Sequence, residues 1–505
     1  MKKILAAALC LLLLTGCARE PAPYIPTGDA LVSDEPTLPT NRPATNQTAG
    51  LGYNADKTLN PFDCTNQSNR VLIGLVYQGL FTMDRDYQTH PVLCREYSVS
   101  RDMKTYTFRL AQATFSDGSA LTVADAVASI RRAMASDFYG GRLSFVESVQ
   151  SQEDALVITL TTPCENLPIL LDIPIVKADQ TREARPLGTG PYFYQEKESG
   201  LELLRRSDWW CNANFPVTAR KISLHHGTTP SQLRDLFEFQ DLSLVCADPG
   251  ADSYVDFHSD YELWDNENGI FLYLGCNAQS YILSQGNIRS ALTHAIDRSA
   301  IVTNYYRDFA QAATLPASPQ SPYYNKALAE TITYDPQKLT NAISQIYLEP
   351  HELIFLVNSD DSVRVRIARF IAAALTQCGL TVTVTSLPTA DYVKALEERN
   401  FDLYLGQTRL CANMDLSPFF SPEGSLNFGD VGDPILATMC AEALANQGNY
   451  YTLHQKVLES GNLIPISFRS NAIFAQRGSF SDFSPARDNI FYYDLGTDTK
   501  DILVP

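Results

Sequence analysis

At 505 residues the chain exceeds what one hydrophobic core supports, so two or three lobes are expected. A hydrophobic content of 45% with 25 Tyr and 24 Phe supplies those cores and excludes a disordered chain. The formal net charge of −18 repels phosphate backbones and anionic lipid surfaces, which argues against a nucleic-acid partner and otherwise serves solubility.

In chain order, Met1-Lys2-Lys3 is a charged start, and Ile4 to Leu14 is an unbroken apolar run followed by Thr15-Gly16-Cys17. That run falls well short of the ~20 residues a helix needs to cross a bilayer of about 30 Å. Residues 1–16 therefore read as a secretory signal peptide. Their ending resembles the bacterial lipobox, in which Cys17 becomes the acylated N-terminus; the alternative is an ordinary signal with an incidental cysteine. Residues 17–50 contain Pro21, Pro23, Pro26, Pro36, Pro39 and Pro43 without apolar periodicity, the pattern of a flexible tether.

Thr105 to Leu110 alternates Tyr106, Phe108 and Leu110 onto one face, which predicts a half-buried strand. Thr122 with Asp125 three residues later predicts a capping box, with Ala124, Val127, Ala128 and Met134 as the inner face of the helix. Leu353 to Val357 is continuously apolar, as in a strand covered on both sides. Asn358, Ser359 and Asp360 offer caps for a helix whose stripe is Val363, Ile367, Ile371, Ala374, Leu375 and Cys378, stopped by Gly379. Leu380 to Thr385 alternates as a second strand, Thr389 opens another helix, and Phe401 to Leu405 is a third strand. This alternation predicts an α/β protein with a parallel sheet and right-handed crossovers.

Chemistry-bearing motifs are scarce. There is no HExxH, GxSxG, P-loop or post-strand GxGxxG, and no pair of carboxylates stands out as an acid/base couple. His225 and His226 are adjacent, and neighbours on a strand point to opposite faces, so they would not chelate one ion. Of the 11 cysteines, Cys10 lies in the signal and Cys17 in the lipobox. The other nine lack metal spacing and read as small buried hydrophobes, with a Cys64–Cys94 pairing left open. Neither an enzymatic activity nor a metal or cofactor is expected.

Several segments, in order, resemble one family. These are Leu59-Asn60-Pro61, Leu75 to Leu80, His90-Pro91-Val92-Leu93, Asp102 to Leu110, Phe115-Ser116-Asp117-Gly118 and Leu121 to Ala126. Gly188-Thr189-Gly190-Pro191-Tyr192, Trp209-Trp210, Ile288 to Leu292, Ala295-Ile296-Asp297-Arg298, Tyr334-Asp335-Pro336 and Phe401-Asp402 follow. Together they are similar to the extracytoplasmic solute-binding proteins of ABC importers, of the oligopeptide-, dipeptide- and nickel-binding type (family 5). One departure is Cys94, which stands where that family usually has alanine.

The resemblance implies a bilobal, periplasmic-binding-protein-like (type II) fold with an extra domain in the first lobe. Lobe I would comprise residues near 51–68, 185–272 and 471–505, the extra domain 69–184 and lobe II 273–470. It implies hinge closure on a solute, delivery to a permease and ATPase, a lipid anchor as the sole membrane attachment, and a monomer. A non-transport ligand sensor on the same fold, or a lipid-anchored surface hydrolase, are the alternatives. For a peptide ligand it implies pairing with extended backbone at Arg409-Leu410-Cys411 and at Asp63 to Gln67, including Asn66 and Gln67. Asn413 stands at the position that carries the amine-binding aspartate in peptide binders, and Asp415 lies two residues on. Asp415 thus either takes the amine or caps a helix starting near Leu416, and Arg409 pairs either with a ligand carboxylate or with a neighbouring acid.

Overall fold

The computed structural model describes residues 48–211, 219–346, 351–429, 433–480, 483 and 485–491. The expected signal segment 1–16, Cys17 and nearly all of the tether to residue 50 lie outside the described residues.

The strand Thr105–Leu110 forms as its alternation predicts, with Tyr106 and Phe108 buried. It lies inside an antiparallel four-stranded sheet ordered Cys94–Val99, Thr105–Leu110, Ala155–Leu160, Val146–Gln152. The capping box is made: Asp125 accepts both the Thr122 amide (2.8 Å) and the Thr122 hydroxyl (2.6 Å). The helix Val123–Met134 is turned from the expected face, however. Ala126, Val127, Ile130 and Ala133 are buried, whereas Ala124 is exposed. Asp125 explains the rotation, because its second oxygen also accepts the Ala178 amide (2.8 Å) and so faces inward.

The large sheet has eleven strands. From one edge it runs Thr381–Leu387, Glu352–Asn358, Leu403–Arg409, Tyr261–Cys276, Leu463–Gln476, Leu244–Ala247, Thr48–Tyr53, Lys221–His226, Gly200–Arg205, Tyr192–Lys197, with Ala310–Ala312 added on Leu463–Gln476. Glu352–Asn358 pairs in parallel with both of its neighbours, the arrangement predicted for residues 351–405. The connecting helices are Ser362–Gln377 and Thr389–Glu397. The first is capped by Asp361, which accepts the Arg364 amide at 3.0 Å, rather than by the three residues before it. Thr389 lies inside its helix, with its hydroxyl donated to Asp360 at 2.6 Å. Gly379 takes φ +104° just past the first helix, a conformation that side chains resist.

Two long antiparallel strands cross the middle. Residues 261–267 of the first pair with 476–470 of the second, in register with the half containing Thr48–Tyr53. Residues 271–275 pair with 468–463, in the half containing Leu403–Arg409. Between Glu267 and Phe271 the register slips, and Gly269 there has φ +72°. The slip falls where both strands pass from one half of the sheet to the other, the place where a hinge between two lobes is expected. The chain is a two-lobed α/β protein of the type II binding-protein architecture.

The Gly188–Tyr192 segment holds the first lobe together. The Gly190 amide donates to the Val76 carbonyl at 2.9 Å, and a methyl group on Gly190 would lie 2.6 Å from that carbonyl. Only glycine permits so close an approach. In the second lobe Asp297 caps its helix by accepting the Ala300 amide (2.9 Å), and Arg289 donates to the carbonyls of Leu283, Ser284 and Ser460.

The lobes touch on both sides of the hinge. Met83, Tyr87, Ile169 and Leu170 are buried in one cluster with Phe271, Tyr273, Phe420 and Phe468. Polar ties reinforce this: the Glu165 amide donates to the Leu444 carbonyl (2.8 Å), and the Ser318 hydroxyl donates to Glu267. On the opposite side Asp252 accepts from Ser362 and pairs with Arg366 at 3.3 Å.

Candidate functional site

Three parallel strands of the first lobe, Thr48–Tyr53, Lys221–His226 and Leu244–Ala247, end on the same edge. Ligands of open α/β sheets collect in the crevice beyond such carboxyl ends. Here that crevice is a cavity of ≈ 250 Å³ whose wall includes Asn66, Gln67, Thr228, Cys246, Asp248 and Tyr254. Asn66 accepts the Asn69 amide (3.1 Å), and Gln67 reaches the Cys246 sulfur at 3.2 Å. Asp248 receives two bonds of 2.6 Å from Arg469, on the crossing strand, and Arg469 also contacts Gln407 of the second lobe at 3.3 Å. The cavity is therefore wired to the hinge.

Asp63 to Gln67 does not form a strand, contrary to expectation. The Asp63 and Cys64 amides turn back to the Asn60 carbonyl, and the helix Gln67–Val71 starts at the Asn66 cap. Asp63 instead pairs with Arg132. Asn66 and Gln67 thus present a helix start and not a sheet strand.

The other expected residues sit elsewhere. Arg409 ends its strand, donates to the Asn268 carbonyl at 2.9 Å and pairs with Asp488. Burial brings its guanidinium down to about 10, against the pull of Asp488. Leu410 is buried, its amide on the Gly269 carbonyl and its own carbonyl on Arg487. Cys411 is half-buried, and burial raises its thiol despite Arg142. Asn413 is buried, with its carbonyl accepting the Tyr450 hydroxyl and its amide nitrogen without a partner among the described residues. Asp415 accepts the Ser417 amide at 2.8 Å, and burial raises its carboxyl while Ser417 lowers it. Its charge is felt by Cys440 and Tyr450 of the second lobe and by Cys164 of the 69–184 segment.

The structure assembles a group that the sequence reading missed. Arg70, Arg142, Arg409 and Arg487 surround Asp172 and Asp488. Arg142 pairs with Asp172 and lies 3.7 Å from Asp488, and Arg487 lies 3.8 Å from Asp488. Phe138 is held between Arg70, 3.3 Å above its ring centroid, and Arg409, 4.5 Å from it. Burial alone would raise Asp488, yet Arg409, Arg142, Arg487 and Arg70 hold its carboxyl well below the usual range. Burial raises Asp172, with Arg142 opposing and Asp488 adding. No spacing signal marks this cluster, because its members come from distant segments that only the fold brings together.

The nine described cysteines are unpaired, so Cys64 and Cys94 are not joined. His226 takes the Ala55 amide on Nδ1 at 3.0 Å, in keeping with a structural role. Among the described residues no three His, Cys, Asp or Glu side chains converge as a metal site.

Comparisons with known proteins converge. A model of "Bacterial extracellular solute-binding proteins, family 5 Middle" matches residues 88–424, more than half of the chain. The glutathione-binding protein GsiB of Salmonella paratyphi A is 23% identical over 395 residues, 72% of this chain and 76% of that protein. Among solved structures, NikA of Brucella suis in complex with Fe(III)-EDTA aligns with a TM-score of 0.70 at 16% identity, covering 88% of this chain and 99% of that one. The oligopeptide-binding protein AppA of Bacillus subtilis, in complex with a nonapeptide, aligns with a TM-score of 0.64 at 17% identity, covering 89% and 99%.

Proposed function

This chain belongs to the bacterial extracellular solute-binding proteins of family 5, and from that membership we propose that it captures a peptide-like solute between its lobes and hands it to an ABC importer. Members of this family bind solutes outside the cytoplasm and are not enzymes. The observation that carries the specific reading is the pair of crossing strands whose register slips at Glu267–Phe271, with polar side chains of both lobes converging there. Closing two lobes about such a hinge buries a solute without making or breaking a bond.

The lobe division at 51–68, 185–272 and 471–505 against 273–470, with 69–184 as the extra domain, remains part of this proposal. The crossing of both hinge strands at residues 267–271 and 468–470 supports it. A single protein copy suffices, because each lobe supplies its own wall.

Chemistry within the cleft favours recognition of a solute carboxylate over recognition of an amine. Asp415 is engaged with Ser417, whereas Arg409 stands at the hinge within a surplus of guanidinium groups. Glutathione, named for the GsiB relatives, is a short peptide with free carboxylates, the ligand class this charge pattern suits. On this reading Asp415→Asn leaves peptide affinity unchanged within about twofold, since an amide oxygen still accepts the Ser417 amide.

Anchoring through Cys17 completes the proposal: two or three acyl chains, at about 0.8 kcal/mol per buried methylene, hold a soluble domain at a membrane. Expression of the full chain in bacteria fed labelled palmitate should label the protein and place it in the membrane fraction. Cys17→Ser should abolish both, while solute released from the denatured protein stays the same by mass spectrometry. Label retained by the Cys17→Ser chain would refute the anchor.

A further inference from the structure

Residues 485–491 return to the hinge after the last long strand, and they bring Asp488 to the centre of the arginine cluster. Its two oxygens face three guanidiniums from three parts of the molecule. Arg409 belongs to the second lobe, Arg142 to the extra domain and Arg487 to the returning segment itself. Asn489 packs against Gly74, and the Phe491 amide donates to Asn489 at 3.2 Å. A cavity of ≈ 40 Å³ beside it is bounded by Asp172, Asp488, Asn489 and Tyr139.

The cluster is not saturated by its own acids. Asp172 and Asp488 face Arg70, Arg142, Arg409 and Arg487, and Glu267, held by Tyr87 and Ser318, adds a third carboxylate that Arg487 feels, so four guanidiniums meet three acids. Nη1 of Arg409, which stays in place when residues 485–491 move, lacks a hydrogen-bond partner among the described residues, and Oδ2 of Asp488 is likewise without one. Buried guanidinium donors without acceptors are costly, so the site is electrostatically unsatisfied even with Asp488 in place. A planar carboxylate between arginines is the geometry such donors favour.

We propose that Asp488 is a built-in stand-in for the solute's carboxylate, and that an anionic solute takes the arginine cluster by displacing residues 485–491. This rests on the reading that solute binds between the lobes, and adds to it the class of solute and a self-blocking element. The internal carboxylate keeps the arginines compensated when the cleft is empty. It also lowers apparent affinity by the fraction of molecules in which it occupies the site, and it selects against solutes without a negative group.

Isothermal titration of the full chain, stripped of solute by unfolding and refolding, tests this with glutathione and glutathione diethyl ester as probes. Asp488→Asn keeps the shape and removes the charge. It should bind glutathione at least about tenfold more tightly than the unaltered chain, with no gain for the diester. Equal or weaker binding by Asp488→Asn would overturn the stand-in while leaving solute capture intact. A gain for the diester equal to that for glutathione would also overturn it, since the carboxylate would then not be what competes. Absence of glutathione binding by both proteins would overturn it too; whether solute capture fails as well is read separately, from small molecules released by the denatured unaltered chain. Should Asp488→Asn not fold, hydrogen exchange on the unaltered chain decides. Amides in residues 485–491 should lose protection when glutathione is added, and unchanged or increased protection would overturn the proposal.

Discussion

Replacing Arg298 with Met lowers the stability of the second lobe by about 4 kcal/mol, the largest single-residue effect expected in the molecule. Arg298 is buried, with no carboxylate beside it among the described residues. Its guanidinium donates to the carbonyls of Ala313 and Pro465 (3.0 and 2.9 Å), to those of Thr293 and Ile296 (2.9 and 3.4 Å) and to the Thr293 hydroxyl (2.7 Å). These acceptors lie on three segments: the turn before the helix Arg298–Tyr306, the chain following Ala310–Ala312, and the crossing strand Leu463–Gln476. Burial draws the guanidinium down to about 10, still far above neutral pH, so it stays charged. Methionine fills much of the volume but leaves the acceptors unpaired, and each orphaned group costs about 1–3 kcal/mol. Scanning calorimetry should show the transition of the second lobe moving down by roughly 10 °C. A shift of under about 2 °C would mean that water replaces the guanidinium at little cost.

The second large effect is acid sensitivity from His454. This residue lies in the helix Tyr450–Ser460, fully buried, with neither ring nitrogen partnered among the described residues and the Tyr450 ring 5.7 Å away. Burial pushes its ring down to about 3. Above pH ~6.5 the ring is neutral in both folded and unfolded chains and contributes no pH dependence. Below that, the unfolded chain takes up a proton that the folded protein refuses until about pH 3, so stability falls as pH falls across this window. At 1.36 kcal/mol per pH unit the loss reaches about 3 kcal/mol by pH 4. His454→Leu removes the site, and denaturant titrations between pH 7 and 4 should show a correspondingly shallower decline. If the two proteins lose stability in parallel, His454 is not what the acid attacks.

Legibility in the sequence followed the range over which each feature is decided. The strand Thr105–Leu110, the Thr122–Asp125 capping box and the alternation from 351 to 405 are local, and local patterning announced them. The face of the helix Val123–Met134 was misjudged because a tertiary bond from Asp125 to Ala178 sets its rotation. The two crossing segments follow from the family resemblance and not from local patterning, because Asp265, Asn266, Glu267 and Asn268 interrupt the first strand with polar groups. Asp63 to Gln67 was read as a strand through family resemblance, whereas Asn66 places a helix cap there. At the site, Arg409 pairs with an internal acid, one of the two options the residue type allowed. Its partner lies 79 residues away, beyond any spacing rule.

The central claim is that two hinged lobes enclose one solute through non-covalent contacts alone. Calorimetric titration of the stripped chain with glutathione and a series of unmodified short peptides, followed by recovery of the solute, tests it most directly. The account predicts saturable one-to-one binding of at least one carboxylate-bearing peptide, about 2.7 kcal/mol of added stability at a hundredfold excess over Kd, and solute recovered with unchanged mass. Recovery of a cleaved or modified product would contradict it, as would a chain that binds none of these solutes and releases none when denatured from its native source.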